Sequence, residues 1–165
     1  MSSTPRLALP FLTPGQAQKE YFHNEALQQL DSLISTAIEA GPLNAPPASP
    51  QPGECHIVGA SPTGAWAEKA GQLASYSAGG WRFLVPVEGQ SAYVKSTGLR
   101  ADFRSGAWEF GVVRASSVMI GGAQVVASRS TAIASPSGGS TVDSSARTAI
   151  DEILTALRHH GLIDS

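Results

Sequence analysis

Apolar and polar residues alternate along this chain in three different rhythms, and each predicts a different kind of element. The opening Pro5-Arg6-Leu7-Ala8-Leu9-Pro10-Phe11-Leu12 places apolar residues at nearly every other position between prolines, which predicts an extended arm packed against another surface. Phe22, Ala26, Leu30, Leu33 and Ala37 then recur at intervals of 4, 4, 3 and 4, joined by Leu27, Ile34 and Ile38. That broad apolar stripe predicts a helix running to about Glu39. Thr13-Pro14-Gly15-Gln16 reads as its capping box, with Thr13 as N-cap and Pro14 at the first helical position, and Gly41-Pro42 as its stop. Asn24 is a possible internal cap, so the pattern leaves open whether the helix is continuous.

Residues 42–53 carry five prolines, which excludes helix and central strand and predicts a stiff connector. Beyond it the period changes to two. Short runs at His56-Ile57-Val58, Gln72 to Tyr76, Trp81 to Val87, Ala92 to Val94, Ala101 to Phe103 and Trp108 to Phe110 are divided by Gly, Ser and Pro turns, the pattern of a small antiparallel module. The module repeats internally. Tyr76 to Phe83 aligns with Phe103 to Phe110, and Gly53 with Ile57-Val58 aligns with Gly89 and Tyr93-Val94, each copy reading aromatic, small-residue turn, Trp-x-Phe. The first copy is longer by nine residues, and the excess falls where Trp66 stands, which predicts an added loop.

After Gly111 the chain shifts to Val, Ser, Ala and Gly with hardly any charge. Val118 to Val126 predicts a hairpin on a Gly121-Gly122 turn, and residues 135–140 a loop. A last helix starts at Asp143, carries Ala146, Ile150, Ile153 and Leu157 as an a/d seam, and ends at Gly161 in the left-handed position, with Leu162 packing back on Leu157. The expected fold is therefore mixed α+β. Its parts are an attachment arm and helix (1–41), a connector (42–53), a repeated β module (54–113), a hairpin and Gly/Ser loop (114–142) and an association helix (143–165).

Composition adds one constraint. Among 165 residues the 24 Ala and 21 Ser bury little area each, and charged residues make up only 15%, so the core is expected to be shared between identical chains. A net charge of −2 lacks the basic footprint of a nucleic-acid binder. Runs such as Leu7 to Leu12 fall far short of the ~20 residues that span a bilayer, and no export signal is expected. Cys55 is alone and reads as a buried thiol. No nucleophile elbow, P-loop, dinucleotide fingerprint or metal-ligand spacing occurs, so neither cofactor, metal nor catalysis is expected. The adjacent His159 and His160 diverge on a helix, and Glu54, Glu68, Glu88, Asp102 and Glu109 read as solvated turn acids.

The aromatics are the positive signal. Trp66, Tyr76, Trp81, Tyr93 and Trp108 lie within two residues of Gly or Ser on short hairpins, where flat rings make stacking platforms for sugars. In a domain this rich in small residues the same rings also suit a core, and both readings stay open.

Two distant motifs carry a resemblance. Pro5 to Leu12 with Gly15 to Glu20 and His23-Asn24-Glu25-Ala26-Leu27, and at the other end Ala134 to Asp143 with Ala146-Arg147, Ala149-Ile150 and His160 to Ile163, resemble a family of fibre and spike proteins. These belong to alphaproteobacterial prophages and gene transfer agents and carry a domain of unknown function at the N-terminus. The resemblance implies a virion structural protein, made in the bacterial cytoplasm and displayed on a capsid vertex or tail. It implies contact with host surface polysaccharide and with other virion proteins through the N-terminal arm, and no catalytic residues. With the α-helical seam it leads to an expected homotrimer, a pentamer being the alternative where the mount sets the symmetry. A structural adaptor that binds no glycan and a polysaccharide-degrading enzyme are the competing classes.

Overall fold

The structure, a computed structural model, describes residues 3–12 and 19–164, so the capping box read at 13–16 lies outside the described residues. The chain is a mixed α+β protein with an N-terminal and a C-terminal helix and antiparallel strands between, divided into two compact units, Met1–Val112 and Val113–Ser165.

The arm is not extended. Ser3 and Pro10 form an antiparallel bridge, the Thr4 amide donates to the Leu9 carbonyl at 3.0 Å, and Ala8 turns with φ 54°. The loop so formed closes around the carboxylate of Asp31, which is 1% exposed and accepts from Thr4 Oγ1 at 2.7 Å, Arg6 N at 3.0 Å and Leu7 N at 2.5 Å. A buried carboxylate is tolerated only when its lone pairs are filled, and the arm supplies the donors. Arg6 completes the latch by donating to the carbonyls of Asp31, Ser32 and Ser35 at 2.7, 3.3 and 2.8 Å, the groups a helix end leaves free.

Helix α1 (Lys19–Leu33) runs unbroken through Asn24, whose amide pairs with the Leu12 backbone instead of capping a second helix. It stops six residues before Glu39, the predicted end. Ser35 sits at φ 49°, and Thr36 Oγ1 donates to the carbonyls of Ser32 and Leu33. The chain then turns into strand β1 (Ala37–Ile38), where Ile38 is fully buried. The sheet's demand for Ile38 overrides helix propensity there. Moreover α1 meets its own chain through polar residues: Asp31 and Ser32 are buried, Ser32 Oγ donates to Ser75 Oγ at 2.7 Å, and Glu25 pairs with Arg82 at 2.8 Å.

The repeat is two three-stranded meanders. The first is β2 (Cys55–Ile57), β3 (Leu73–Ser77) and β4 (Gly80–Leu84), and the second β5 (Ser91–Val94), β6 (Leu99–Arg104) and β7 (Ala107–Phe110), with β1 parallel to β5. Their hydrogen bonds match position by position. Gly53 N donates to Tyr76 O as Gly89 N does to Phe103 O, and Gly71 N to Val58 O as Gly98 N does to Val94 O. Gly71 and Gly98 share φ near 73° and 72°, a conformation that side chains resist.

Equivalent faces do not meet. In the main core Cys55, Ile57, Leu73 and Leu84 from one face of the first meander pack with Ala92, Val94, Ala101, Trp108 and Phe110 from the non-equivalent face of the second. This stacking leaves the first meander's aromatic face to be covered by something else. The inserted residues between β2 and β3 do so, Trp66 packing with Val58, Ala74, Trp81 and Phe83 in a second core and Lys69 lying over the Phe83 ring.

In the second unit, β8 (Val118–Ile120) and β9 (Ala123–Val126) turn through Gly121 and Gly122, both at positive φ as the hairpin twist requires. Helix α2 (Ser144–His159) is capped by Asp143, whose carboxylate accepts from Ala146 N at 2.9 Å. It ends at Gly161 (φ 68°) with Leu162 N donating to Leu157 O and Gly161 N to Arg158 O, the paired bonds of a Schellman cap. Within this unit the buried apolar residues are Leu154 and Ile163.

Asp31→Ala is expected to cost about 3 kcal/mol, because three donors lose a charged acceptor. Urea denaturation measures the loss, and accelerated trypsin cleavage after Arg6 reports release of the arm.

Candidate functional site

Placing the five predicted aromatics separates core from surface. Trp66 sits in a short 3-10 turn (Gly64–Trp66) held by Thr63 N donating to Asn44 O at 2.7 Å, and its ring is fully buried. The added stretch lies between β2 and β3, and its Trp66 ring plugs a sheet face. It meets Trp81 edge to face at 5.0 Å between centroids, and Trp81 in turn meets Tyr76 at 4.9 Å and His56 at 5.9 Å. Trp81 and Tyr76, cross-strand partners, are half-buried. Trp108 faces the main core, with its indole N–H donating to Gly71 O at 2.9 Å and Phe103 at 5.4 Å.

Tyr93 is different. It is 53% exposed on the outer face of the sheet β1-β5-β6-β7, directly opposite Arg100. Beside it Ser91 Oγ donates to Asp102 Oδ1 at 2.5 Å, and Arg100 donates to the same oxygen at 2.7 Å and to Ser91 Oγ at 2.6 Å. These two hydrogen bonds, that from Ser91 foremost, hold the Asp102 carboxyl below its usual range, so it stays an ionised acceptor. On the other side of Tyr93, Lys95 pairs with Glu39 at 2.6 Å. Strand alternation puts these groups on one face, an aromatic ring flanked by fixed planar donors and acceptors. The sequence reads Asp102 as a solvated turn acid, whereas the pairing register shows it to be a strand residue in an ordered network. The sequence signal that could have found it is the period-two spacing Arg100, Asp102, Arg104.

A concavity of about 350 Å³ lies among Phe11, Glu20, Tyr21, Gln28 and Arg82. Two of its polar groups are already engaged, Asn24 with Leu12 and Glu25 with Arg82. Among the described residues no group of three His, Cys, Asp or Glu is placed to hold a metal ion, and no helix is long and apolar enough to cross a membrane. Cys55 is buried and free, its thiol pushed up to about 11 by burial.

A family model described as a protein of unknown function (DUF2793) matches residues 23–109, over half of the chain, and the chain belongs to that family. The match runs from α1 to β7, spanning both meanders. No curated protein matches the chain.

Two outcomes follow for the plugged face. Trp66→Ala is expected to destabilise the fold by about 3–5 kcal/mol, as large-to-small core changes do, and Trp66→Phe by much less, since it also removes an indole N–H that has no partner among the described residues. Equilibrium unfolding followed by the remaining tryptophans reads both. His56 has both ring nitrogens unpartnered, with Glu54 3.6 Å away, and burial lowers its pKa from 6.5 despite that neighbour. The unfolded chain therefore takes up a proton first, so the stability contributed by neutral His56 is present above about pH 6.5 and is lost as pH falls below it. Thermal melts between pH 7.5 and 5 should show the drop, and His56→Phe should flatten it.

Proposed function

We propose that this DUF2793 protein is a virion structural protein, a fibre or spike on a capsid vertex or tail, that adheres to host surface polysaccharide and has no catalytic role. The observation that carries the reading is the Tyr93 face. An exposed ring beside a fixed Ser91, Asp102 and Arg100 network suits the apolar face and hydroxyl edge of a sugar ring, and needs no deep pocket. Binding of this kind is weak at one site and gains strength through repeated display.

Repeated display requires an oligomer, and the second unit supports one. With Leu154 and Ile163 as its buried apolar residues, it exposes Val118, Met119, Ile120, Val125, Ile150 and Ile153. An isolated two-stranded hairpin and a 16-residue helix are each marginal alone, so this apolar surface calls for identical neighbours. Ala146, Ile150 and Ile153 of the seam are exposed and Leu157 is half-buried, which suits a homotrimer packed along α2. The arm forms the side turned to other virion proteins.

The adaptor reading has one observation in its favour, the use of Trp66 and Trp108 as core. Cell binding separates the two. Labelled full-length protein is expected to bind alphaproteobacterial cells bearing surface polysaccharide and not cells stripped of it. Tyr93→Ala and Arg100→Ala are each expected to weaken binding at least tenfold through lost avidity, while Trp66→Phe leaves it unchanged. Equal binding to both cell types would establish the adaptor.

A further inference from the structure

The apolar stripe of α1 is turned away from its own chain. Phe22 is 75% exposed, Leu30 46% and Leu33 41%, and Ile34, just past the helix end, 48%, while the helix residues buried against the fold are Asp31 and Ser32. A surface helix ordinarily buries its apolar stripe and exposes its polar one, and here the partition is inverted.

We propose that this stripe is a second homo-oligomer seam, in which α1 of one copy packs in parallel against α1 of identical copies. The proposal rests on the oligomer reading above and deepens it. Three features point to another copy of this chain as the occupant. The stripe positions Phe22, Ala26, Leu30, Leu33 and Ile34 carry no charge, and the neighbouring Glu25 and Asp31 are already paired with Arg82 and with the arm. His23 also lies within the stripe, but between Phe22 and Ile34 no Asp, Glu, Lys or Arg does, so identical faces can meet there without opposing those charges. The spacing makes Ala26, Leu30 and Leu33 successive d, a and d positions, so the same residues come together around a parallel seam. The exposed parts of Phe22, Leu30, Leu33 and Ile34 amount to roughly 400 Å² per copy on the scale of 150–250 Å² for an aromatic. That is about half of the ~800 Å² each partner contributes to a standard interface.

The test uses the full-length chain in four forms: wild type, Leu30→Glu, Leu30→Cys and Arg104→Cys, the last an exposed control away from the stripe. Light scattering across a dilution series reads the mass, and diamide oxidation followed by non-reducing electrophoresis reads contact, with buried Cys55 contributing little background. The expected result is a wild-type oligomer, at least tenfold weaker association for Leu30→Glu, and a disulfide-linked pair from Leu30→Cys but not from Arg104→Cys. A wild-type oligomer with Leu30→Glu unmoved and no Leu30→Cys cross-link overturns the α1 seam and leaves the oligomer standing. A monomeric wild type overturns both. Should Leu30→Glu fail to fold, the cross-link decides alone.

Discussion

The fold depends on one requirement: the aromatic face of a three-stranded meander has to be covered. The second meander meets it by laying Trp108, Phe110 and Ala101 on the back of the first, which is why Cys55, Ile57, Leu73 and Leu84 are apolar on that back. The first meander has no third copy to sit on, and the inserted Trp66 loop takes that place. At the opposite end the back of the second meander carries Ser91, Tyr93, Arg100 and Asp102, a solvated surface that closes the stack. Repeat proteins need such polar or plugged ends, because an open apolar face would invite further stacking.

Against this stack α1 plays an unusual part. Its contacts with the sheet are a hydrogen bond through Ser32 and an ion pair through Glu25, while Asp31 holds the arm. Geometry rather than buried area fixes its position, with the arm wound around Asp31 and Arg6 on the last carbonyls. The consequence is a helix held in place on one side and apolar on the other. The second unit shows the same economy, tying its tail down through Arg129 and Arg158 on backbone carbonyls while leaving its valines and isoleucines outside. Both patterns fit the oligomer proposed above, in which many weak sites would act together.

The surface available for recognition is thus what stacking leaves over. The aromatics divide by whether their face is needed for the core, and Tyr93 is displayed because its equivalent in the first copy, Ile57, is the residue that the core consumes. The ordered Ser91, Asp102 and Arg100 network exists for the same reason, standing where Cys55, Ser75 and Leu73 stand in the first copy.

The sequence by itself determined the local events: the strands of both repeat copies, the Gly121-Gly122 hairpin, the Asp143 cap and the Gly161 ending, because each rests on backbone conformations that nearby residues dictate. It also carried the excess of nine residues around Trp66, though not their purpose. Tertiary structure alone decided which face of each meander turns inward, since period two marks the faces without saying what covers them. It decided, too, that the arm curls onto Asp31, and that the helix ends at Leu33 so that Ile38 can enter the sheet. A long-range partner chose among locally acceptable conformations in each case, and no window of neighbouring residues contains that partner.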